Sequence, residues 1–131
     1  MRFVIAALAA LVVTIPVAAF AEDGDAKKGK KVFRKCRACH VADKEKNRVG
    51  PHLVGIIDRN TASVEGYAYS PAMMAKGAEG LVWTRENLIT YLTKPKDFIP
   101  GTKMVFPGLK KDKDRLNLLA YLQSLTAAAS E

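Results

Sequence analysis

The sequence predicts a small all-α domain, and three observations support that prediction. The chain has 131 residues, which is enough for one domain and leaves little room for a second. Three segments place apolar residues at helical spacing, and no segment alternates apolar and polar residues as a half-buried strand does. The stretches between those segments are long and rich in glycine, proline and other turn formers, which is typical of loops.

The N-terminal 21 residues differ from the rest of the chain. They hold one charge, Arg2, followed by an apolar run that ends in A-F-A, a small-x-small pattern after which signal peptidase cuts. We predict a secretory signal peptide over residues 1–21, cleaved after Ala21, and a functional domain over residues 22–131. The alternative is an uncleaved membrane anchor, because the apolar run is nearly long enough to span a bilayer.

The charge of the chain is strongly positive. Its formal net charge is +8, and removal of the signal peptide takes away only Arg2, which leaves +7. A basic protein of this size suits nucleic acid, anionic lipid or an acidic protein as partner. Export argues against nucleic acid, so we expect no nucleic-acid partner and an acidic protein surface instead.

The first predicted helix follows Asp25, which is the expected N-cap of AKKGKKVFRKC. Small or apolar residues recur at helical spacing at Ala26, Gly29, Val32, Phe33 and Cys36. A glycine inside a helix costs about 1 kcal/mol relative to alanine. Such a residue is tolerated where another backbone or a bulky side chain comes close, so Gly29 indicates a tight helix contact.

The other two main helices carry equally clear signals. Thr84 is the expected N-cap of RENLITYLTK, in which Leu88, Tyr91 and Leu92 form an apolar stripe, and Pro95 ends that helix. Asp112 is the expected N-cap of the last helix, KDRLNLLAYLQSLT. Its apolar face consists of Leu118, Tyr121, Leu122 and Leu125.

Two loops connect these helices. Residues 41–80 contain one predicted short helix, near 70–76, where Pro71 suits the first turn. Residues 95–111 contain several prolines and glycines. Loops of this length are uncommon in a compact domain unless something else organises them. Because so small a domain also buries little apolar surface by itself, we expect a large buried prosthetic group.

The strongest motif is Cys36-Arg37-Ala38-Cys39-His40, which has the C-x-x-C-H form of c-type haem attachment. Near a helix end, sulfurs three residues apart fall on one side of the backbone, where each forms a thioether with a porphyrin vinyl group. The next residue, His40, is then carried under the ring and reaches the iron with one imidazole nitrogen. The other nitrogen needs a fixed acceptor.

Other uses of the two cysteines fit the sequence less well. A thioredoxin-type pair expects a βαβ environment, which the sequence does not show. A zinc site needs more ligands, and His52 is the only other histidine. A disulfide across three residues closes too small a loop to stabilise the fold much.

A six-coordinate haem needs a second axial ligand, and the candidates are Met73, Met74, Met104 and His52. Methionine is more often core filler than ligand, and we expect that role for Met73 and Met74. Met104 lies in I-P-G-T-K-M-V-F-P-G, where proline and glycine constrain the backbone and present the thioether. Methionine and histidine ligation raises the reduction potential. His52, just after Gly50-Pro51, is expected on a loop surface.

The chain resembles the class I cytochromes c, in particular the soluble bacterial cytochrome c2 type that is close to mitochondrial cytochrome c. The resemblance spans nearly all of residues 24–126. It rests on GDAKKGKKVF, CRACH, VGPHLVGIIDR, GYAYS, the lone Trp83, YLTKPKDFIPGTKMVFPGLKK and LLAYL. It implies three main helices, short helices and long loops wrapped around one haem c, linked covalently to Cys36 and Cys39.

The resemblance also implies which residues surround this haem. On the iron side, the Pro51 carbonyl accepts the N–H of His40, and Tyr91 lies beside the sulfur of Met104. Leu53, Leu92 and Leu122 wall the haem. Gly29 and Phe33 pack against Leu118 and Tyr121 where the first and last helices cross.

A further group is implied at the haem propionates. Tyr69 and Trp83 hydrogen-bond the inner propionate, and Arg59 offsets its charge. One departure from the mitochondrial proteins falls nearby, because Met73 stands where they carry a buried amide.

The implied function is that of a one-electron carrier and not of an enzyme. Such a carrier is a periplasmic monomer that moves electrons between membrane redox complexes, from a bc1-type donor to a terminal oxidase or a photosynthetic reaction centre. Lysines around the exposed haem edge dock onto the acidic faces of those complexes, and the matching positions here are Lys35, Lys96, Lys103, Lys110 and Lys111. A peroxidase or gas-binding haem protein is the enzyme alternative, and it requires an open iron position.

Overall fold

The computed structural model describes residues 24–130, and within that range the fold is all-α, as predicted. The main helices are α1 (Ala26–Val32), α2 (Pro71–Ala78), α3 (Arg85–Thr93), α4 (Pro95–Phe98) and α5 (Asp112–Ala129). A 3₁₀ turn, Phe33–Lys35, continues α1. The predicted signal peptide, residues 1–21, lies outside the described residues.

Extended structure is minimal in the described range. Asn60 and Val82, on either side of α2, form an isolated antiparallel bridge. None of the helices described between residues 24 and 130 is both long enough and apolar enough to cross a membrane.

Side chains cap three helices, and two of these caps, Asp25 and Thr84, were predicted from the sequence. The carboxylate of Asp25 accepts the N–H of Lys28 at 3.0 Å. The hydroxyls of Ser70 and Thr84 accept backbone N–H groups at the starts of α2 and α3, at 3.1 and 3.2 Å. Each cap satisfies a donor that the first helical turn leaves without an internal partner.

The predicted N-cap of the last helix is wrong by one residue. Asp112 is the first residue of α5, and the N-cap position is held by Lys111, which makes no side-chain cap hydrogen bond. The carboxylate of Asp112 instead pairs with the guanidinium of Arg115. Asp112 and Asp114 still place negative charge in the first turn, where it opposes the helix dipole favourably.

Helices α1 and α5 cross at very short range, and Gly29 is the point of closest approach. A Cβ atom at Gly29 would lie 1.9 Å from the carbonyl oxygen of Asn117 and 2.7 Å from Cβ of Tyr121. The rings of Phe33 and Tyr121 pack beside it, with centroids 5.5 Å apart. The helix glycine therefore marks a tight crossing that joins the two ends of the domain.

The core lies between α3, α5 and the loop that follows α4. Ile99 and Leu119 are fully buried, and Leu109 and Leu118 are each 2% exposed. The loop after α4 returns to α3, since the N–H of Leu109 donates to the carbonyl of Leu92 at 2.7 Å. This packing forms one wall of a large internal cavity.

Candidate cofactor site

A cavity of about 430 Å³ opens in the middle of the domain. Its size is within the range of roughly 300–1,000 Å³ that cofactor and ligand sites occupy. The structure brings together in its lining every residue that the sequence assigns to cofactor binding. These are Cys36, Cys39, His40, Pro51, Leu53, Arg59, Tyr69, Trp83, Tyr91, Leu92 and Met104.

One turn of chain after the 3₁₀ segment positions both cysteines and the histidine. The N–H groups of Cys39 and His40 both donate to the carbonyl of Cys36, at 3.1 and 2.9 Å. This turn brings Cys36, Cys39 and His40 into the lining of one cavity. The two cysteines form no disulfide, and burial raises the pKa of the Cys36 thiol to about 11.

His40 is held as a neutral imidazole with one nitrogen already engaged. Its Nδ1 lies 2.7 Å from the carbonyl oxygen of Pro51 and, in the tautomer protonated at Nδ1, donates a hydrogen bond to that oxygen. Burial lowers the pKa of His40, so the neutral form is favoured at neutral pH. Nε2 is then the nitrogen that keeps a lone pair for a metal ion.

Gly50 makes room for this imidazole. A Cβ at Gly50 would lie 2.3 Å from Cε1 of His40, which is closer than real side-chain contacts allow. Gly50 thus packs closely against the His40 ring, and the carbonyl of Pro51 holds its Nδ1. The role of Gly50 was not predicted from the sequence, although its position before Pro51 is a signal.

Met104 is held from the other loop. Its sulfur lies 3.6 Å from the hydroxyl of Tyr91, and its backbone N–H donates to Oγ1 of Thr102 at 3.4 Å. Gly101 adopts φ +89°, a left-handed conformation that glycine permits and that turns the chain toward the cavity. Thr102 was not predicted to take part, yet its buried hydroxyl contacts the hydroxyl of Tyr91 at 3.1 Å.

Arg59 brings an incompletely satisfied positive charge to the cavity. Its two terminal nitrogens donate to the carbonyls of Val54 and His52, both at 3.0 Å. Its Nε is buried and has no partner among the described residues. A buried cation is costly without an opposite charge, so this position suits an anionic group in the cavity.

Two aromatic side chains lie near the same part of the lining. The hydroxyl of Tyr69 accepts the N–H of Val64 at 3.1 Å, which leaves its own proton for another acceptor. Trp83 is 6% exposed, and its ring packs on Tyr91 with centroids 4.9 Å apart. Both are hydrogen-bond donors beside Arg59, as a carboxylate-bearing cofactor requires.

The predicted docking lysines occupy two kinds of position. Lys35 and Lys103 line the cavity, together with the exposed Val49 and Val105. Lys103 is already engaged, because its ammonium lies 4.5 Å from the ring centroid of Tyr67 and donates to the carbonyl of Ala68. The remaining three are exposed and lie outside the cavity lining; they are Lys96, Lys110 and Lys111.

The donor set of this cavity fits a covalently bound haem. Two thiols, an imidazole and a thioether line one apolar cavity. Arg59, Tyr69 and Trp83 also line it and would contact the haem propionates. In the described residues no group of three or more His, Cys, Asp and Glu side chains forms a metal cluster.

Comparisons with known proteins agree with this geometry. The family model for cytochrome c matches residues 26–126. Cytochrome c of Stellaria longipes is 50% identical over 107 residues, which cover 80% of this chain and 96% of that protein. Cytochrome c-550 of Nitrobacter winogradskyi is 49% identical over 100 residues, which cover 76% and 89%. The solved structure of cytochrome cH from Methylobacterium extorquens superposes with a TM-score of 0.71 at 42% identity, covering 77% of this chain and 99% of that one.

Proposed function

This chain belongs to the cytochrome c family, and on that basis we propose that it is a soluble periplasmic carrier of single electrons whose haem iron is ligated by His40 and Met104. Cytochromes c are electron carriers with a covalent haem c, which this chain attaches through Cys36 and Cys39. The observation that carries the proposal is a single cavity lined by a neutral imidazole and a thioether. A hydrogen bond orients each of them.

The chain's own residues account for most of what a carrier needs. A haem attached to Cys36 and Cys39 would supply the one-electron redox chemistry when bound. The Pro51 carbonyl fixes the orientation of His40, and Tyr91 and Thr102 fix that of Met104. Because both ligands are held by the fold, little rearranges when the charge of the site changes. The apolar walls at Leu53, Leu92 and Leu122 exclude water.

Docking is proposed to use lysines near the cavity opening. Lys35 and Lys103 flank the exposed Val49 and Val105. An apolar contact ringed by positive charge suits the acidic face of a membrane redox complex, such as a bc1-type donor and a terminal oxidase or photosynthetic reaction centre. Charge complementarity speeds association, and a small interface allows quick release. A monomer suffices for this role.

Spectroscopy tests the ligands directly. We expect a weak sulfur-to-iron band in the oxidised protein and no binding of carbon monoxide to the reduced protein at neutral pH. In Met104→Ala, the band disappears and carbon monoxide binds, because the sixth position is open. Fast carbon monoxide binding by the unaltered protein would overturn the carrier proposal in favour of a gas-binding or peroxidase role.

Export and partner choice need separate measurements. The mass of the mature protein distinguishes cleavage after Ala21 from a retained anchor. Reduction and oxidation rates with each candidate complex in membranes of the source organism identify donor and acceptor. A protein that exchanges electrons with none of them does not serve as the proposed shuttle.

A further inference from the structure

The chain has two histidines, and His52 is the one to which the proposed carrier function gives no role. Its ring is half-buried, and its Nδ1 is enclosed without a hydrogen-bond partner among the described residues. A buried ring nitrogen without a partner costs free energy, and the cost is larger when the ring carries a charge. His52 is therefore a titratable group whose surroundings distinguish its two charge states.

Arg59 connects His52 to the cofactor cavity. One terminal nitrogen of its guanidinium donates to the backbone carbonyl of His52 at 3.0 Å, and the other donates to the carbonyl of Val54 at 3.0 Å. Arg59 also lines the cavity, and its Nε is buried without a partner within residues 24–130. A change of charge on the His52 ring therefore acts on a cation that already lies at the cofactor site.

Two charged groups act on the His52 ring, one from the loop before it and one from the loop after it. Burial, followed by the guanidinium of Arg59, lowers the pKa of His52, whereas the carboxylate of Glu45 raises it. The side chain of Asn47 holds the backbone of His52 in this position by accepting its N–H at 3.0 Å. The ring therefore takes up its proton below the ordinary imidazole value of about 6.5, in the mildly acidic range.

On the basis of the proposed carrier function, we propose that His52 is a positioning residue that acts through Arg59 and couples uptake of a proton to reduction of the cofactor. The electron comes from the redox donor, and the proton passes from water to the His52 imidazole. The imidazolium places a second cation beside the guanidinium, so the electrostatic potential at the cavity becomes more positive. Reduction lowers the positive charge of the cofactor and is therefore more favourable when His52 is protonated. By linkage, His52 binds its proton more tightly in the reduced protein.

Redox titration of the haem-loaded protein between about pH 5 and 8 tests the proposal. We expect a reversible one-electron couple whose potential falls as the pH rises through the titration of His52. His52→Asn keeps a polar side chain that carries no proton-dependent charge, so it should lose most of this fall. A fall that His52→Asn retains in full overturns the proposal and leaves the carrier function intact. The absence of any reversible one-electron couple would instead refute the carrier function, and the coupling with it.

Removal of the Glu45 carboxylate gives a directional test. Glu45→Gln takes away a charge that favours the imidazolium, so the pH at which the potential changes should move to a lower value. The matched control is Glu86→Gln, which removes an equal charge from an exposed position in α3 whose carboxylate does not act on His52. It should leave that pH unchanged. Equal displacements in the two variants contradict the proposal, because the effect then follows net charge and not the surroundings of His52.

Proton NMR of the His52 ring gives a readout that needs no variant and no measurement of potential. Because His40 belongs to the cofactor site, His52 supplies the free imidazole C–H signals of the chain. Their titration in the fully oxidised and the fully reduced protein should give a lower midpoint in the oxidised state. Coincident midpoints in the two states overturn the proposal, because linkage then leaves no coupling between the proton and the electron.

Discussion

The hydroxyl oxygen of Tyr91 lies 3.6 Å from the sulfur of Met104. The two residues come from different segments, a helix and a proline-bounded loop, and Thr102 bridges them through its own hydroxyl. Burial raises the pKa of Tyr91, so its hydroxyl remains a proton donor at neutral pH. One buried phenol thus lies in position to orient the thioether.

Tyr91→Phe should lower the reduction potential. Without the O–H donor, the sulfur of Met104 keeps more electron density and donates it better to the iron, which stabilises the ferric state. A hydrogen bond worth about 0.5–1.5 kcal/mol corresponds to a decrease of roughly 20–60 mV. Equilibrium redox titration measures it. Tyr121→Phe is the control, because Tyr121 lies outside the cavity lining. Equal potentials for Tyr91→Phe and the unaltered protein would falsify the electronic role.

Gly29→Ala should destabilise the domain strongly. The added Cβ would lie 1.9 Å from the carbonyl oxygen of Asn117, and neither backbone can retreat without separating the helices. We expect a loss of about 3 kcal/mol or more in the free energy of unfolding, measured with denaturant. Lys30→Ala, at an exposed position one residue on, should change stability by less than about 0.5 kcal/mol. A loss below about 1 kcal/mol at Gly29 is incompatible with the crossing described.

Charge reversal at Lys35 should slow electron transfer through docking alone, whereas charge reversal at Lys103 should also affect stability. Lys35→Glu is expected to reduce the second-order rate of oxidation by an acidic partner several-fold at low ionic strength, and the difference should shrink as salt screens it. Stopped-flow kinetics over a salt series measures this. Lys28→Glu, at the start of α1, serves as the control. A rate that is unchanged at low ionic strength rules out Lys35 as a docking residue.

Lys103→Glu should have an additional effect on stability. Its ammonium contacts the ring of Tyr67 and the carbonyl of Ala68, so the substitution also releases a contact between two loops. We expect Lys103→Glu, but not Lys35→Glu, to lower the midpoint of thermal unfolding. Equal midpoints for the two variants would show that the loop contact contributes nothing.

His52 should make stability depend on pH near neutrality. Burial, followed by the nearby charge of Arg59, lowers its pKa, and its Nδ1 is buried without a hydrogen bond in the described part of the chain. The unfolded chain therefore takes up the proton first as pH falls through about 6.5. The contribution of His52 to stability is complete above that pH and is lost progressively below it. Denaturant unfolding at pH 7.5 and 5.5 should show a smaller difference for His52→Asn, and identical differences would contradict the assignment.

The sequence predicted the parts of the fold that local chemistry decides. Asp25, Ser70 with Pro71, and Thr84 each start a helix because a side chain or a fixed φ satisfies the first turn. Asp112 was wrongly assigned as a cap because Arg115, three residues on, competes for its carboxylate. Pro95 stops α3 as predicted, but it is also the first residue of α4, a short helix that the sequence pattern did not predict.

The cavity was less accessible to sequence reasoning than its individual residues. The C-x-x-C-H motif indicates its own chemistry, since three groups share one turn. Thr102 and Tyr67 make contacts across loops that meet only in the folded chain, so no sequence spacing predicts their roles. Residues whose roles depend on such contacts required either the family resemblance or the structure itself.

The crossing of α1 and α5 also determines when during synthesis the domain can close. Near the beginning of the domain, Gly29 and Phe33 pack against Asn117 and Tyr121 near its end. The native fold therefore cannot form until the last helix has been synthesised. A chain synthesised from its N-terminus therefore exposes Cys36 and Cys39 before α1 can pack against α5. In the finished fold both thiols are partly buried. Before the last helix docks, the contact between α1 and α5 cannot contribute to the burial of these two thiols.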